Sequence, residues 1–179
     1  MARAINKKIE KEFNFLLPQK IFIWGNIKPD VMKKEIPHFK HEDISAFYQK
    51  YNVLQKNINV LPIKKTTQEL GQIIHYICDY FCTAHNEEKY INDLKLHTLY
   101  EVKLQKRAKQ IEKDFFKFNI KKFHNYSFRE NVEIFHQGFC KQEQCYEKDL
   151  IFAFKVSFLA TSQIIGNMTK QQYSKTLAI

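Results

Sequence analysis

The sequence has few residues that interrupt a helix. Glycine and proline occur only four times each among 179 residues, so the closely spaced turns of hairpin-rich folds are missing. A chain of this length fits one domain, and its 16 Phe and 9 Tyr can fill a core. We therefore predict a single compact, all-α, multi-helix domain over residues 1–179, with residues 167–179 as a frayed tail.

Long apolar runs are also missing. The N-terminal segment is basic but is not followed by a sustained apolar stretch, so no signal peptide is predicted. The longest apolar segment, Leu150 to Ile165, is interrupted by Lys155 and Gln163. It is too short and too polar to span a bilayer, and its composition favours a buried helix. The predicted location is the cytoplasm or the periphery of a membrane.

Cysteines are few, and positive charge is in excess. The pairs Cys78/Cys82 and Cys140/Cys145 lack zinc-finger spacing, so we interpret them as reduced or core thiols and not as ligands. A net charge of +10 attracts phosphate groups of lipid or nucleic acid. A lysine-rich stripe runs from Lys103 to Lys122 and could bind such groups, although a solvated helix face is the commoner explanation.

Apolar periodicity and turn residues divide the chain into helices. Gly25, Asn26 and Pro29 predict a structured turn that ends at Asp30. Thr66 or Thr67 is the predicted cap of the helix that carries His75. The other predicted helices cover residues 3–16, 42–57, 90–118, 127–138 and 143–166.

Two histidines are each followed by a carboxylate four residues later: His75 by Asp79, and His97 by Glu101. Residues four apart lie on the same face of a helix, so each pair can hold one cation between an imidazole and a carboxylate. His85 lies just beyond the first pair. Zinc accepts both kinds of ligand, and we predict a zinc cluster between two helices. His124 and His136 fit no such pattern.

The order of these motifs resembles a known family. The segments GNIKPD, PHF, LGQIIHYICDYFCTAH and LHTLYE follow one another from Trp24 to Glu101. Their spacing, H-x3-D-x5-H followed by H-x3-E, is similar to that of the bacterial zinc-dependent phospholipases C. The resemblance implies an all-helical phospholipase C fold with a metal cluster of up to three zinc ions.

The resemblance also implies which residues bind metal. One zinc would be held by Asp30, His38, His75 and Asp79, with His41 as an alternative to His38. A second would be held by His85, His97 and Glu101. The family's third zinc uses Asp79, a histidine near the N-terminus and the terminal amino group. This chain has no histidine before His38, so we expect two zinc ions.

The function implied by the resemblance is hydrolysis of a phosphodiester bond in a phospholipid, with Asp30 orienting or deprotonating the attacking water. An anionic membrane surface is a possible partner. Single-strand nucleases use a similar zinc cluster, but their final pair typically ends in aspartate, so Glu101 favours the phospholipase and makes a nucleic-acid substrate the second choice. A non-catalytic zinc protein of the same fold is a third alternative. The oligomeric state is not predicted.

Overall fold

The computed structural model describes residues 1–32, 44–119 and 126–176, and within these ranges the chain is helical, with no strand. The all-α prediction is confirmed. In chain order the helices are α1 (Ala2–Phe13), α2 (Gln19–Val31), α3 (Ile44–Asn57), α4 (Ile63–Tyr80), α5 (Thr83–Asn86), α6 (Glu88–Ile91), α7 (Leu94–Gln110), α8 (Glu112–Phe115), α9 (Phe128–Cys140) and α10 (Tyr146–Thr176).

The core is built around α4 and α10. Helix α10 packs against α1, α4, α7, α8 and α9. Most of its apolar side chains are buried, among them Phe158 and Leu159. Polar residues on α10 fit this environment because they bond within the helix: the Thr161 hydroxyl donates to the Ser157 carbonyl and the Ser162 hydroxyl to the Phe158 carbonyl. Burial of these apolar surfaces provides the main driving force for folding.

Contrary to the prediction that this segment is too short and too polar to span a bilayer, helix α10 has the length and composition of a membrane-spanning helix. The segment Tyr146–Thr169 meets those criteria among the described residues, but 78% of its most apolar window is buried inside the protein. A core helix has the same composition, which agrees with the prediction of a buried helix.

Helices α2 and α4 are in close backbone contact because glycines face each other across the interface. A methyl group on Gly71 would lie 2.6 Å from the Phe22 carbonyl oxygen and 2.9 Å from the Gly25 Cα. A methyl group on Gly25 would overlap the backbone of Gln68. The prediction of a turn at Gly25 and Pro29 was therefore wrong. The glycine permits helix packing here, and Pro29 lies within the last turn of α2.

Other boundaries differ from the predictions. Helix α4 begins at Ile63, directly after Pro62, and Thr67 lies inside it, where its hydroxyl bonds the Ile63 carbonyl. The predicted 90–118 helix is divided: Asp93 caps α7, whose end at Gln110 precedes a bend that buries Ile111. Helix α9 continues through Gly138 to Cys140, and α10 continues past Gly166 to Thr176.

Candidate metal centre

Helix α4 presents the first histidine and carboxylate of the site. His75 and Asp79 lie one turn apart near its C-terminal end, and Nε2 of His75 is 3.1 Å from Oδ2 of Asp79. The His75 side chain is almost entirely buried and that of Asp79 is 16% exposed. The predicted helical pairing of these two residues is confirmed.

Helix α2 adds a second carboxylate to the same imidazole. Oδ1 of Asp30 lies 3.6 Å from Nε2 of His75, although 60% of the Asp30 side chain is exposed. The glycine contact between α2 and α4 explains this approach, since Gly25 and Gly71 lie on the same helices roughly one turn before Asp30 and His75. We call Asp30, His75 and Asp79 the α4 group.

Helix α5 places His85 close to Asp79 of α4. The Asn86 amide donates to the carbonyls of Tyr80 and Cys82, at 3.0 and 2.7 Å, and so fixes the turn between the two helices. Nε2 of His85 then lies 3.6 Å from Oδ1 of Asp79. The two oxygens of Asp79 therefore face different histidines.

Helix α7 completes the site. Oε1 of Glu101 lies 3.3 Å from Nε2 of both His85 and His97. The two imidazole rings meet edge to face, with centroids 4.6 Å apart. The ligand-type atoms of these three residues lie within 4.8 Å of one another. We call His85, His97 and Glu101 the α7 group.

The pKa values reflect this mixture of acids and imidazoles. Burial of the His75 ring acts to lower its pKa, but the hydrogen bond and charge of Asp79, with the charge of Asp30, raise it above the usual 6.5. The hydrogen bond with His85 lowers the pKa of Glu101 more than burial raises it, and His97 adds to the effect. Each carboxylate in these pairs favours a positive charge beside it.

The distances fit a tetrahedral cation better than direct hydrogen bonds. The imidazole–carboxylate separations run from 3.1 to 3.6 Å, longer than the roughly 2.7–2.9 Å of a charge-assisted hydrogen bond. Ligands bound at about 2.1 Å to one tetrahedral zinc lie about 3.4 Å apart. The donor set of imidazole and carboxylate is also one that zinc accepts, so the residues fit the metal.

A cavity of about 430 Å³ opens beside both groups. Asn26, Thr98 and Gln105 line it, together with Met1 and Val102. Helical periodicity could have identified the first three, because Asn26 is four residues from Asp30, and Thr98 and Gln105 are three and four residues from Glu101. Met1 reaches the cavity through the tertiary packing of α1, and only the family resemblance, through the terminal amino group of its third zinc site, had pointed to the N-terminus.

Other residues considered from the sequence are either outside the described residues or away from the site. His38, His41 and His124 are outside the described residues. His136 stacks on Tyr80, with ring centroids 4.6 Å apart, and so packs in an aromatic cluster. Trp24 is 45% exposed on α2.

The cysteines predicted to be thiols are all free. Cys78 and Cys82 line the cavity, but burial raises the pKa of both, to about 12 for Cys78. A buried thiol with a raised pKa is a poor metal ligand because zinc binds the thiolate.

Comparison with known proteins gives one match. A family model described as zinc-dependent phospholipase C matches residues 1–146 of the chain. No curated protein and no solved structure matches it.

Proposed function

Since the chain belongs to the zinc-dependent phospholipase C family, we propose that it hydrolyses the phosphodiester bond of phospholipids, releasing diacylglycerol and a phosphorylated head group. One observation carries the proposal: Asp79 lies between two histidine–carboxylate groups, with Oδ2 toward His75 and Oδ1 toward His85. A shared carboxylate of this kind can hold two metal ions close enough to act on one phosphate.

Each group would hold one zinc ion. Asp30, His75 and Asp79 supply three ligands of the first, and His38 is the proposed fourth. His85, His97 and Glu101 would supply three ligands of the second beside the shared Asp79, and water or substrate would add as a fifth ligand. Two zinc ions would carry four positive charges against the three negative charges of Asp30, Asp79 and Glu101. The remaining positive charge suits an anionic phosphodiester.

Zinc, when bound, lowers the pKa of a coordinated water and stabilises negative charge on phosphate oxygens. Side chains of the protein would orient the attacking water and accept its proton. Asp30 is the most exposed carboxylate of the site, at 60% side-chain exposure, and it lines the cavity. We assign it a second role beside metal binding, in which its free oxygen orients the attacking water and accepts its proton.

Apolar side chains near the cavity favour a lipid over a nucleic acid. Trp24, Ile27 and Val31 are exposed on α2, the helix that also carries Asp30. On α7, Val102 is 58% exposed and lines the cavity next to Glu101. Exposed apolar residues around a site suit acyl chains at a membrane surface, and the net charge of +10 suits anionic head groups.

Substrate assays test the proposal. The protein loaded with zinc should release diacylglycerol from phosphatidylcholine vesicles, lose this activity to a chelator, and regain it on addition of zinc. Degradation of single-stranded DNA in place of the lipid would assign the nuclease function, and zinc binding without either activity would assign a non-catalytic role.

The variant Asp30→Asn tests the role of the carboxylate. It should lose turnover while the zinc of the α7 group stays bound, because Asp30 contacts only the α4 group. Asp114→Asn, at an exposed position on α8, is the control and should keep full activity. Full activity in Asp30→Asn would refute the assignment.

A further inference from the structure

Asp149 is a buried carboxylate that the proposed mechanism does not use. It lies in the first turn of α10 and is 1% exposed. Three donors bond to it: the Thr83 backbone N–H at 2.7 Å, the Thr83 hydroxyl at 2.9 Å and the Tyr100 hydroxyl at 2.8 Å. One side chain of α10 therefore links α5 and α7.

Both bonding partners lie next to residues of the α7 group. Thr83 is the first residue of α5, two positions before His85. Tyr100 lies on α7 between His97 and Glu101, directly before the carboxylate. A shift of Thr83 would move His85, and a shift of Tyr100 would move His97 and Glu101. Either shift would change the distances between the three ligands. The three bonds of Asp149 described above reach α5 and α7, whereas the residues of the α4 group lie on α2 and α4.

The local helices alone are too weak to hold this arrangement. Helix α5 has only four residues, and so short a helix has little stability of its own. An ionised carboxylate with three donors can fix its orientation, whereas a neutral side chain would accept fewer of these bonds. Burial raises the pKa of Asp149, and the hydrogen bonds from Thr83 and Tyr100 act in the opposite direction.

We propose that Asp149 is the positioning residue of the α7 group: through Thr83 and Tyr100 it holds His85 at the distance from His97 and Glu101 that one zinc ion requires. This rests on the proposed zinc site. Asp149 lies beyond the region that the family model matches, residues 1–146, and it is α10 that supplies it. Residues that orient metal ligands indirectly typically change metal affinity by about 10–100-fold.

Zinc affinity measured by competition with a chromophoric chelator tests the inference. The variant His97→Ala first identifies which binding step belongs to the α7 group. Asp149→Asn and Tyr100→Phe should then weaken that step by about tenfold and leave the α4 step unchanged. Cobalt substitution gives a second readout, since the tetrahedral absorption band of the α7 group should weaken or shift in both variants.

Tyr51→Phe is the matched control. Its hydroxyl also bonds a polar side chain of α10, Gln163, at 2.8 Å, and Tyr51 is also buried. The control should lose folding stability without a change in either zinc affinity or in the cobalt spectrum. Tyr100→Phe removes a single hydroxyl, so it keeps the test available if Asp149→Asn does not fold.

Each outcome is decisive. Equal losses at both zinc steps, or an effect on the α7 step no larger than that of Tyr51→Phe, would overturn the positioning role and leave the proposed function intact. A wild-type protein that binds no zinc would overturn both. The role would be established if Asp149→Asn and Tyr100→Phe lose zinc affinity only at the α7 step. Their metal-free folding stability should be no lower than that of Tyr51→Phe.

Discussion

The α4 group and the α7 group are both built from imidazoles and carboxylates but are assembled by different contacts. Asp30 meets His75 because Gly25 and Gly71 allow two long helices to touch along their backbones. In the α7 group a four-residue helix and α7 are held by hydrogen bonds to Asp149. Backbone packing is difficult to alter locally, whereas hydrogen bonds to a single side chain can be removed one at a time. The two groups should therefore respond to different substitutions.

Asp79→Asn should have the largest effect, because the Asp79 carboxylate faces a histidine of each group. Its two oxygens face His75 and His85, and an amide supplies one neutral oxygen in their place. We expect zinc affinity to fall by at least about 100-fold in both groups, with phospholipid hydrolysis lost as well. Competition titrations and vesicle assays measure the two effects. If one group kept its wild-type affinity, Asp79 would not be shared.

Gly71→Ala tests the backbone contact. The added methyl group would lie 2.6 Å from the Phe22 carbonyl oxygen, which forces α2 away from α4 and should cost about 1–3 kcal/mol of folding free energy. The α4 group should lose zinc affinity more than the α7 group does. Urea unfolding and zinc competition measure these changes.

Gly166→Ala is the control for that experiment. Gly166 is also helical, but a methyl group there meets nothing within 4 Å. Alanine is favoured over glycine in a helix by about 0.5–1 kcal/mol, so this variant should be slightly more stable. Equal behaviour of the two glycine variants would contradict the packing account.

A pH titration tests the imidazole of the α4 group without a mutation. Zinc binds neutral imidazole, so protons compete for His75, whose pKa lies above 6.5. Zinc affinity of the α4 group should fall about tenfold for each pH unit below that pKa. Glu101, with a pKa below 4.5, should stay ionised over the same range. Affinity of the α4 group that is constant from about pH 8 to about pH 6 would contradict this.

The metal-free protein should show the opposite dependence. The ion pair of protonated His75 with Asp79 contributes stability below the unfolded pKa of about 6.5, and this stability is lost as the pH rises through the raised pKa. Thermal unfolding with a chelator present, across the same pH range, measures it.

Val102→Ser should have the smallest effect and tests the apolar surface beside the cavity. We expect a few-fold rise in KM on vesicles, with unchanged zinc affinity and unchanged hydrolysis of a dispersed short-chain substrate. Val60→Ser is the matched control, since Val60 is 78% exposed in the turn before α4, at the opposite end from His75. An equal effect of both variants would remove the argument for a lipid surface at the cavity.

The sequence alone was sufficient for the features that depend on local periodicity. A histidine and a carboxylate four residues apart face the same way on any helix, and the pairs His75/Asp79 and His97/Glu101 do so here. The all-α fold followed from the scarcity of glycine and proline. Both inferences need only the geometry of one helix.

Features that depend on contacts between distant segments were missed. Gly25 predicts a turn by local propensity, but in the fold it faces Gly71, which is far away along the chain. Asp149 gives no signal because its bonds to Thr83 and Tyr100 cross 66 and 49 residues. Thr66 looked like a cap, yet α4 starts earlier after Pro62. Tertiary packing overrides local propensity in each case.

Zinc content of the purified protein tests the central claim most directly. If Asp79 joins two separate groups, the wild-type protein should retain two equivalents after dialysis and His97→Ala should retain one. Fewer than two equivalents in the wild-type protein, or an equal content in both proteins, would contradict the two-zinc site.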